Sequence, residues 1–136
     1  MSDYVHNKSI MYPIDCMALG LEDAWDIEEK IPEELKNHYD DKYPYFEIEA
    51  MVDYDGNGDC NYYLSLVLGS TYGRDCGDFG RNRALSLTEQ VKYKEIFEQV
   101  IPNIDTSKLK YVDYCYYNCS ESDDYYIKND EFNSEL

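Results

Sequence analysis

The chain has 136 residues, of which 29 are acidic and 12 basic, for a formal net charge of −17, and 16 are tyrosines. That length allows one domain, 1–136, with a hydrophobic core of its own. The tyrosines and the regularly alternating aliphatic residues argue against disorder in spite of the charge, and the charge itself argues against direct binding of nucleic acid, which is held mainly by basic side chains.

Residues 1 to 14 read as irregular or as a short strand around Ser9 to Tyr12, punctuated by Pro13. Asp15 has the side chain to cap a short helix through Leu19, with Gly20 as its stop. A helix is then expected over Leu21 to Ile31. Leu21, Ala24, Ile27 and Ile31 fall on one face bordered by Trp25, and the remaining positions are mostly acidic. Pro32 either ends that helix or opens the next, since proline is tolerated in a first turn. The second helix, with Glu33 and Glu34 in its first turn, is expected to reach about Tyr39.

Residues 45–68 have the period-2 alternation of two strands. Phe46, Ile48, Ala50, Val52 and Tyr54 alternate with Glu47, Glu49, Met51 and Asp53, and Tyr62, Leu64, Leu66 and Leu68 alternate with Tyr63, Ser65 and Val67. Asp55 to Asp59, with two glycines, suits the chain reversal between them. This hairpin is expected to be the centre of a small antiparallel sheet. Glycines at 69, 73, 77 and 80 suggest a long connection after Leu68. Ser86 and Glu89 then form a capping box before a helix of about 87–101, whose buried stripe is read as Leu87, Val91, Ile96 or the stem of Lys94, and Val100. Residues 108–118 have strand composition, 124–128 suit an edge strand, and 129–136 read as a frayed acidic tail. The fold class expected is α+β: an antiparallel sheet packed by the 87–101 helix, with acidic helices towards the N-terminus.

No apolar run approaches the roughly 18 residues of a membrane span, and the first residues lack the basic patch and apolar core of a signal peptide. Cysteines at 16, 60, 76, 115 and 119 are odd in number. Without a secretory signal they are read as reduced thiols in a host-cell cytoplasm. Cys60, Cys76, Cys115 and Cys119 contain no C-x-x-C pair, so buried neutral thiols are favoured over a zinc site.

The charge is unevenly placed. Residues 21–59 hold 14 acidic and 3 basic side chains, residues 60–100 hold 5 of each, and residues 101–136 hold 8 acidic and 3 basic. A concentrated negative field attracts proteins whose working surface is basic. The carboxylates chosen as the partner-binding surface are Glu22, Asp23, Asp26, Glu28, Glu29, Glu33, Glu34, Asp40 and Asp41. On this reading they stand in for phosphates before a basic nucleic-acid-binding protein of the host. Tyrosines 39, 43, 45, 116, 117, 125 and 126 add rigid contacts with polar tips. The plain alternative is a solvated acidic surface with tyrosines placed on strands.

Asp53, Asp55, Asn57 and Asp59 resemble the start of an EF-hand loop, with glycine in the sixth position. Leu64 stands where the bidentate glutamate belongs, and the flanks read as strands, so a hairpin turn is preferred to a calcium site. Arg74, Arg81 and Arg83 lie in a glycine-rich stretch with neither phosphate-loop motif, and pairing with the chain's own acids is the simpler reading. His6 and His38 are the only histidines, and no G-x-S-x-G, H-E-x-x-H or kinase signature is present. No enzyme activity and no cofactor are therefore expected.

In size, charge, lack of a catalytic motif and the lysine, isoleucine and asparagine usage of an AT-rich genome, the chain resembles the small acidic proteins of phages and mobile elements. That group includes DNA-mimicking anti-restriction and anti-CRISPR proteins. The resemblance is one of type and carries over no residues. It implies an inhibitor that blocks the nucleic-acid groove of a host defence nuclease. An immunity protein against a basic nuclease toxin uses the same charge logic, and a calcium-responsive module built on 53–61 is the third reading.

Overall fold

The computed structural model describes residues 4–37, 42–52, 60–73, 85–117 and 126–132. Its framework is a five-stranded, wholly antiparallel sheet in the order β2-β3-β1-β4-β5. The strands are β1 (Tyr4–Pro13), β2 (Tyr45–Val52), β3 (Cys60–Gly73), β4 (Lys110–Tyr117) and β5 (Tyr126–Glu131). Among the described residues, two α-helices, α1 (Cys16–Leu19) and α2 (Leu87–Glu98), and three short 3₁₀ helices accompany the sheet in an α+β fold.

The middle of the sheet is β1, not the hairpin. β2 and β3 do pair, from Tyr45 opposite Val67 to Val52 opposite Cys60, but β2 is an edge strand. β1 lies between β3 and β4, with Ile10 opposite Leu66 on one side and Tyr111 on the other. The physical reason that β1 escapes a pattern reading is burial on both faces. Asn7, Ser9, Ile10, Met11 and Tyr12 are all buried, so no polar and apolar alternation marks the strand.

Directly opposed residues share a face of the sheet. Phe46, Leu66, Ile10 and Tyr111 form one row across four strands, with Ile48, Leu64 and Tyr12 beside it. This face carries the main core, closed by Ile27, Ile31, Phe97, Val100, Ile101, Ile104, Leu109 and Phe132. Phe46 and Phe97 meet edge to face at 5.1 Å and 84°, the geometry that the aromatic quadrupole favours. On the opposite face Glu47, Ser65, Met11 and Lys110 form one row, and Tyr45, Val67, Ser9 and Val112 the next. Ser9 and Ser65 are fully buried there. Among the described residues, neither hydroxyl has a hydrogen-bond partner.

β3 continues past Leu68 to Gly73, through a stretch expected to be a connection. Lys8 faces Gly69 while Ser9 faces Val67, so Leu68 is an extra residue in the ladder. That bulge lets the strand bend without losing β1 as its partner. β5 likewise takes in residues 129–131, and Phe132 behind it is buried, so this part of the expected tail belongs to the fold.

α1 begins and ends as its sequence predicts. The Asp15 carboxylate accepts from the Met17 and Ala18 amides at 3.1 and 3.3 Å, and Gly20 takes the left-handed conformation, φ 67°, that stops it. α2 carries the expected capping box, with Glu89 N–H donating to Ser86 Oγ and Ser86 N–H to Glu89 Oε1, both at 3.2 Å. Its phase differs from the expected stripe. Leu87 and Val91 are 55% and 41% exposed, whereas Phe97 is fully buried and Tyr93 and Ile96 pack partly against the core. Tyr93, Phe97 and Val100 follow the 4-3 spacing of one helix face, and Leu87 and Val91 lie about 115° and about 155° away from its centre.

Candidate acidic interface

The acidic segment folds as two 3₁₀ helices, Ala24–Lys30 and Glu33–Leu35, rather than the two α-helices expected. Buried Ala24 and Ile27 are three apart, the spacing that stacks side chains at three residues per turn. An α-helix here would place Glu22 against Asp26 at the repulsive four-residue spacing. Pro32 sets the break, because a residue before proline is driven to extended backbone, and Ile31 has φ −77° and ψ 125°. Pro32 is also the N-cap of the second helix, so it both ends one helix and opens the next.

Seven of the nine chosen carboxylates fall in described residues: Glu22, Asp23, Asp26, Glu28, Glu29, Glu33 and Glu34, all exposed. They do not have equal freedom. Asp23 Oδ1 accepts from Trp25 N–H and Asp26 Oδ2 from Asp23 N–H, each at 3.0 Å. Those two carboxylates are capping groups of the first 3₁₀ helix, a duty that sequence reasoning did not assign to them. Glu33 pairs with Lys36 at 3.3 Å on an exposed surface, a contact worth at most about 1 kcal/mol. Asp40 and Asp41 lie outside the described residues, as do Asp53, Asp55, Asn57 and Asp59, the three arginines at 74, 81 and 83, His38, Cys76 and Cys119. Among the described residues, no group of three or more His, Cys, Asp or Glu side chains is placed to hold a metal ion, and no helix is long and apolar enough to cross a membrane.

No family model, curated protein or solved structure matches the chain.

The acidic segment is joined to the sheet through a groove of about 500 Å³. Trp25, Glu28 and Ile31 form one wall, Lys36 and Asn37 one end, and the consecutive β2 residues 46–49 the other wall. Neighbouring strand side chains point to opposite faces, so four in succession border one cavity only where it runs along the strand's outer edge. Lys36 touches that edge through a single parallel bridge to Phe46, and Asn37 Nδ2 donates to Glu47 Oε1 at 3.2 Å. Trp25 is 48% exposed and held edge to face against Tyr62 at 6.4 Å. Trp25 entered the sequence reading only as a border of the helix face, and Glu47 and Glu49 only as the outward half of an alternation. Two glutamates two residues apart on a strand, close in sequence to an acidic helix, were the available signal.

Proposed function

We propose that this protein is a non-catalytic acidic inhibitor that occupies the DNA- or RNA-binding groove of a host defence nuclease, in the manner of anti-CRISPR and anti-restriction proteins. The observation that carries the reading is the run of exposed carboxylates on a rigid frame: Glu22, Glu28, Glu29, Glu33 and Glu34 project from 3₁₀ turns anchored in the core by Ala24, Ile27 and Ile31. Nucleases hold nucleic acid mainly by Lys and Arg contacts to phosphate. Carboxylates fixed on a folded surface offer those cations an alternative ligand, and ordering a few side chains costs less than ordering a flexible acidic tail. Inhibition is competitive and requires no chemistry.

The test is a gel-shift competition with a panel of purified RNA-guided and restriction nucleases, each mixed with the protein before DNA is added, at two salt concentrations. Loss of DNA binding that weakens as salt rises is the expected result. In the quadruple variant Glu28→Gln, Glu29→Gln, Glu33→Gln, Glu34→Gln, four charges go while the caps Asp23 and Asp26 stay. Inhibition surviving unchanged in that variant at physiological salt would refute this surface as the mimic. Failure across the whole panel shifts the weight to a nuclease toxin as partner.

A further inference from the structure

We infer that the protein binds a small monocarboxylic acid with a short branched aliphatic tail, in a pit enclosed by α1, the first 3₁₀ helix and the end of α2. The inference goes beyond the function proposed above, does not rest on it, and uses none of the carboxylates assigned there. The pit holds about 190 Å³. Its floor is Ile27, Val100 and Ile101, all buried, and its walls are Leu19 and Leu21, both half-buried. Pro102 and Lys30 at the rim are exposed. A buried floor beneath an exposed rim describes a pit open to solvent rather than a sealed packing void. A methyl group on Gly20, between the two leucines, would meet nothing within 4 Å, so no described element closes over that side.

The polar groups around the pit select its ligand. The N–H groups of Leu19, Leu21, Val100 and Ile101 are already bonded to the carbonyls of Asp15, Cys16 and Phe97, so none of these amides is free to cradle a phosphate or a sulfate. The Lys30 ammonium is different. Lys36 pairs with Glu33 at 3.3 Å, whereas Lys30 has neither an ion pair nor a hydrogen bond among the described residues. An apolar pit gives water too few partners to hold it well, and a single point charge at the mouth favours one anionic head. A wholly apolar ligand would fill the pit but leave the ammonium partly dehydrated and unpaired. A carboxylate on a short tail meets both demands. Since an apolar cavity of about 150 Å³ holds a benzene, about 190 Å³ takes a branched tail of about five carbons and not a long acyl chain. The net charge of −17 opposes anions at long range, but that field is screened beyond about 8 Å at physiological salt, so the contact at Lys30 decides.

The test follows the full-length protein, isotope-labelled at its Leu, Ile and Val methyl groups, by NMR. It is titrated with isocaproate and, separately, with the neutral amide isocaproamide, which has the same tail. Saturable shifts are expected at Leu19, Leu21, Ile27, Val100 and Ile101, and not at Leu87 or Val91 on the exposed side of α2. A dissociation constant on the order of 1 mM suits an acid of about eight heavy atoms, and the amide should bind roughly tenfold more weakly. Lys30→Met keeps an apolar stem at the rim and removes the charge. It should weaken isocaproate roughly tenfold and leave the amide unchanged, so that amide binding also checks that the variant is folded. No saturable shift at the pit methyls, or equal affinity of the wild-type protein for acid and amide, overturns the inference without any variant. Undiminished isocaproate binding by Lys30→Met overturns it as well. The nuclease competition is independent of all these outcomes.

Discussion

Ser9 and Ser65 offer an unusual prediction, because removing them should strengthen the protein. Each side chain is fully buried on the sheet face opposite the main core, and neither hydroxyl has a partner among the described residues. A buried hydroxyl without a hydrogen bond costs about 1–3 kcal/mol of desolvation. Ser→Ala removes that cost and leaves a methyl of nearly the same shape, against which stands the weaker strand preference of alanine, a few tenths of a kcal/mol. The net expectation is a gain of about 0.5–2 kcal/mol for each substitution. The midpoint of thermal unfolding should rise by roughly 2–7 °C for each, on the scale of about 3–4 °C per kcal/mol for a chain of this length. The two serines are diagonal neighbours, since Ser9 faces Val67 and Ser65 faces Met11. Residues so placed are roughly 7–8 Å apart, and the double variant should be additive to within about 0.5 kcal/mol. Urea unfolding of the two single variants and the double variant measures this, and an unchanged slope confirms that the native state is what changed. A loss of more than about 1 kcal/mol in either single variant would refute the reasoning and show that its hydroxyl does have a partner.

Other expectations follow from the same packing and capping. Phe97→Ala should cost about 3–5 kcal/mol in urea unfolding, because Phe97 is fully buried against Phe46. Val91→Gln should stay within about 0.5 kcal/mol, as Val91 is 41% exposed; equal losses at the two positions would mean that the phase of α2 is wrong. Asp105 caps the 3₁₀ helix Thr106–Lys108. Its carboxyl is held below the ordinary carboxylate range by hydrogen bonds from the Ser107 hydroxyl and amide and by the charge of Lys108. A lowered folded pKa adds stability that is present above the unfolded value, roughly pH 4, and is lost as pH falls through the folded one. The deficit of Asp105→Asn should therefore be full at neutral pH and shrink in acid, whereas a deficit independent of pH would contradict the charge-based account.

How much of this was legible in the sequence depended on how local its cause was. The caps at Asp15, Ser86 and Glu89 and the stop at Gly20 formed as read, because the bonds involved join residues a few positions apart. The β2–β3 pairing was also legible, since one alternation and one polar reversal specify it. Its place in the sheet was not, because that depends on β1, whose partners are distant in sequence and whose doubly buried residues show no alternation. Gly69 and Gly73 read as breakers, yet the ladder to Lys8 and Tyr4 holds them in β3. At the candidate site, the acidic positions were plain from composition. That Asp23 and Asp26 are capping groups follows from 3₁₀ geometry, and the spacing of Ala24, Ile27 and Ile31 is compatible with an α-helix as well. The groove was invisible because it exists only where the acidic segment meets the edge of β2.

The central position of β1 also bears on how the protein is made. Tyr4 pairs with Gly73 on one side and with Tyr117 on the other, so the middle strand of the sheet is synthesised before both of its neighbours. At translation rates of about 5–20 residues per second, roughly 5–20 s pass between the end of β1 and the end of β4. Ile10, Met11 and Tyr12 leave the ribosome before either neighbouring strand, and β4 is still missing until the end of that interval. A strand waiting in this way is open to intermolecular pairing, and distant pairing is slow to form. The yield of folded protein should therefore rise when a chaperone that binds extended apolar segments is in excess. The large negative charge, by keeping nascent chains apart, acts in the same direction.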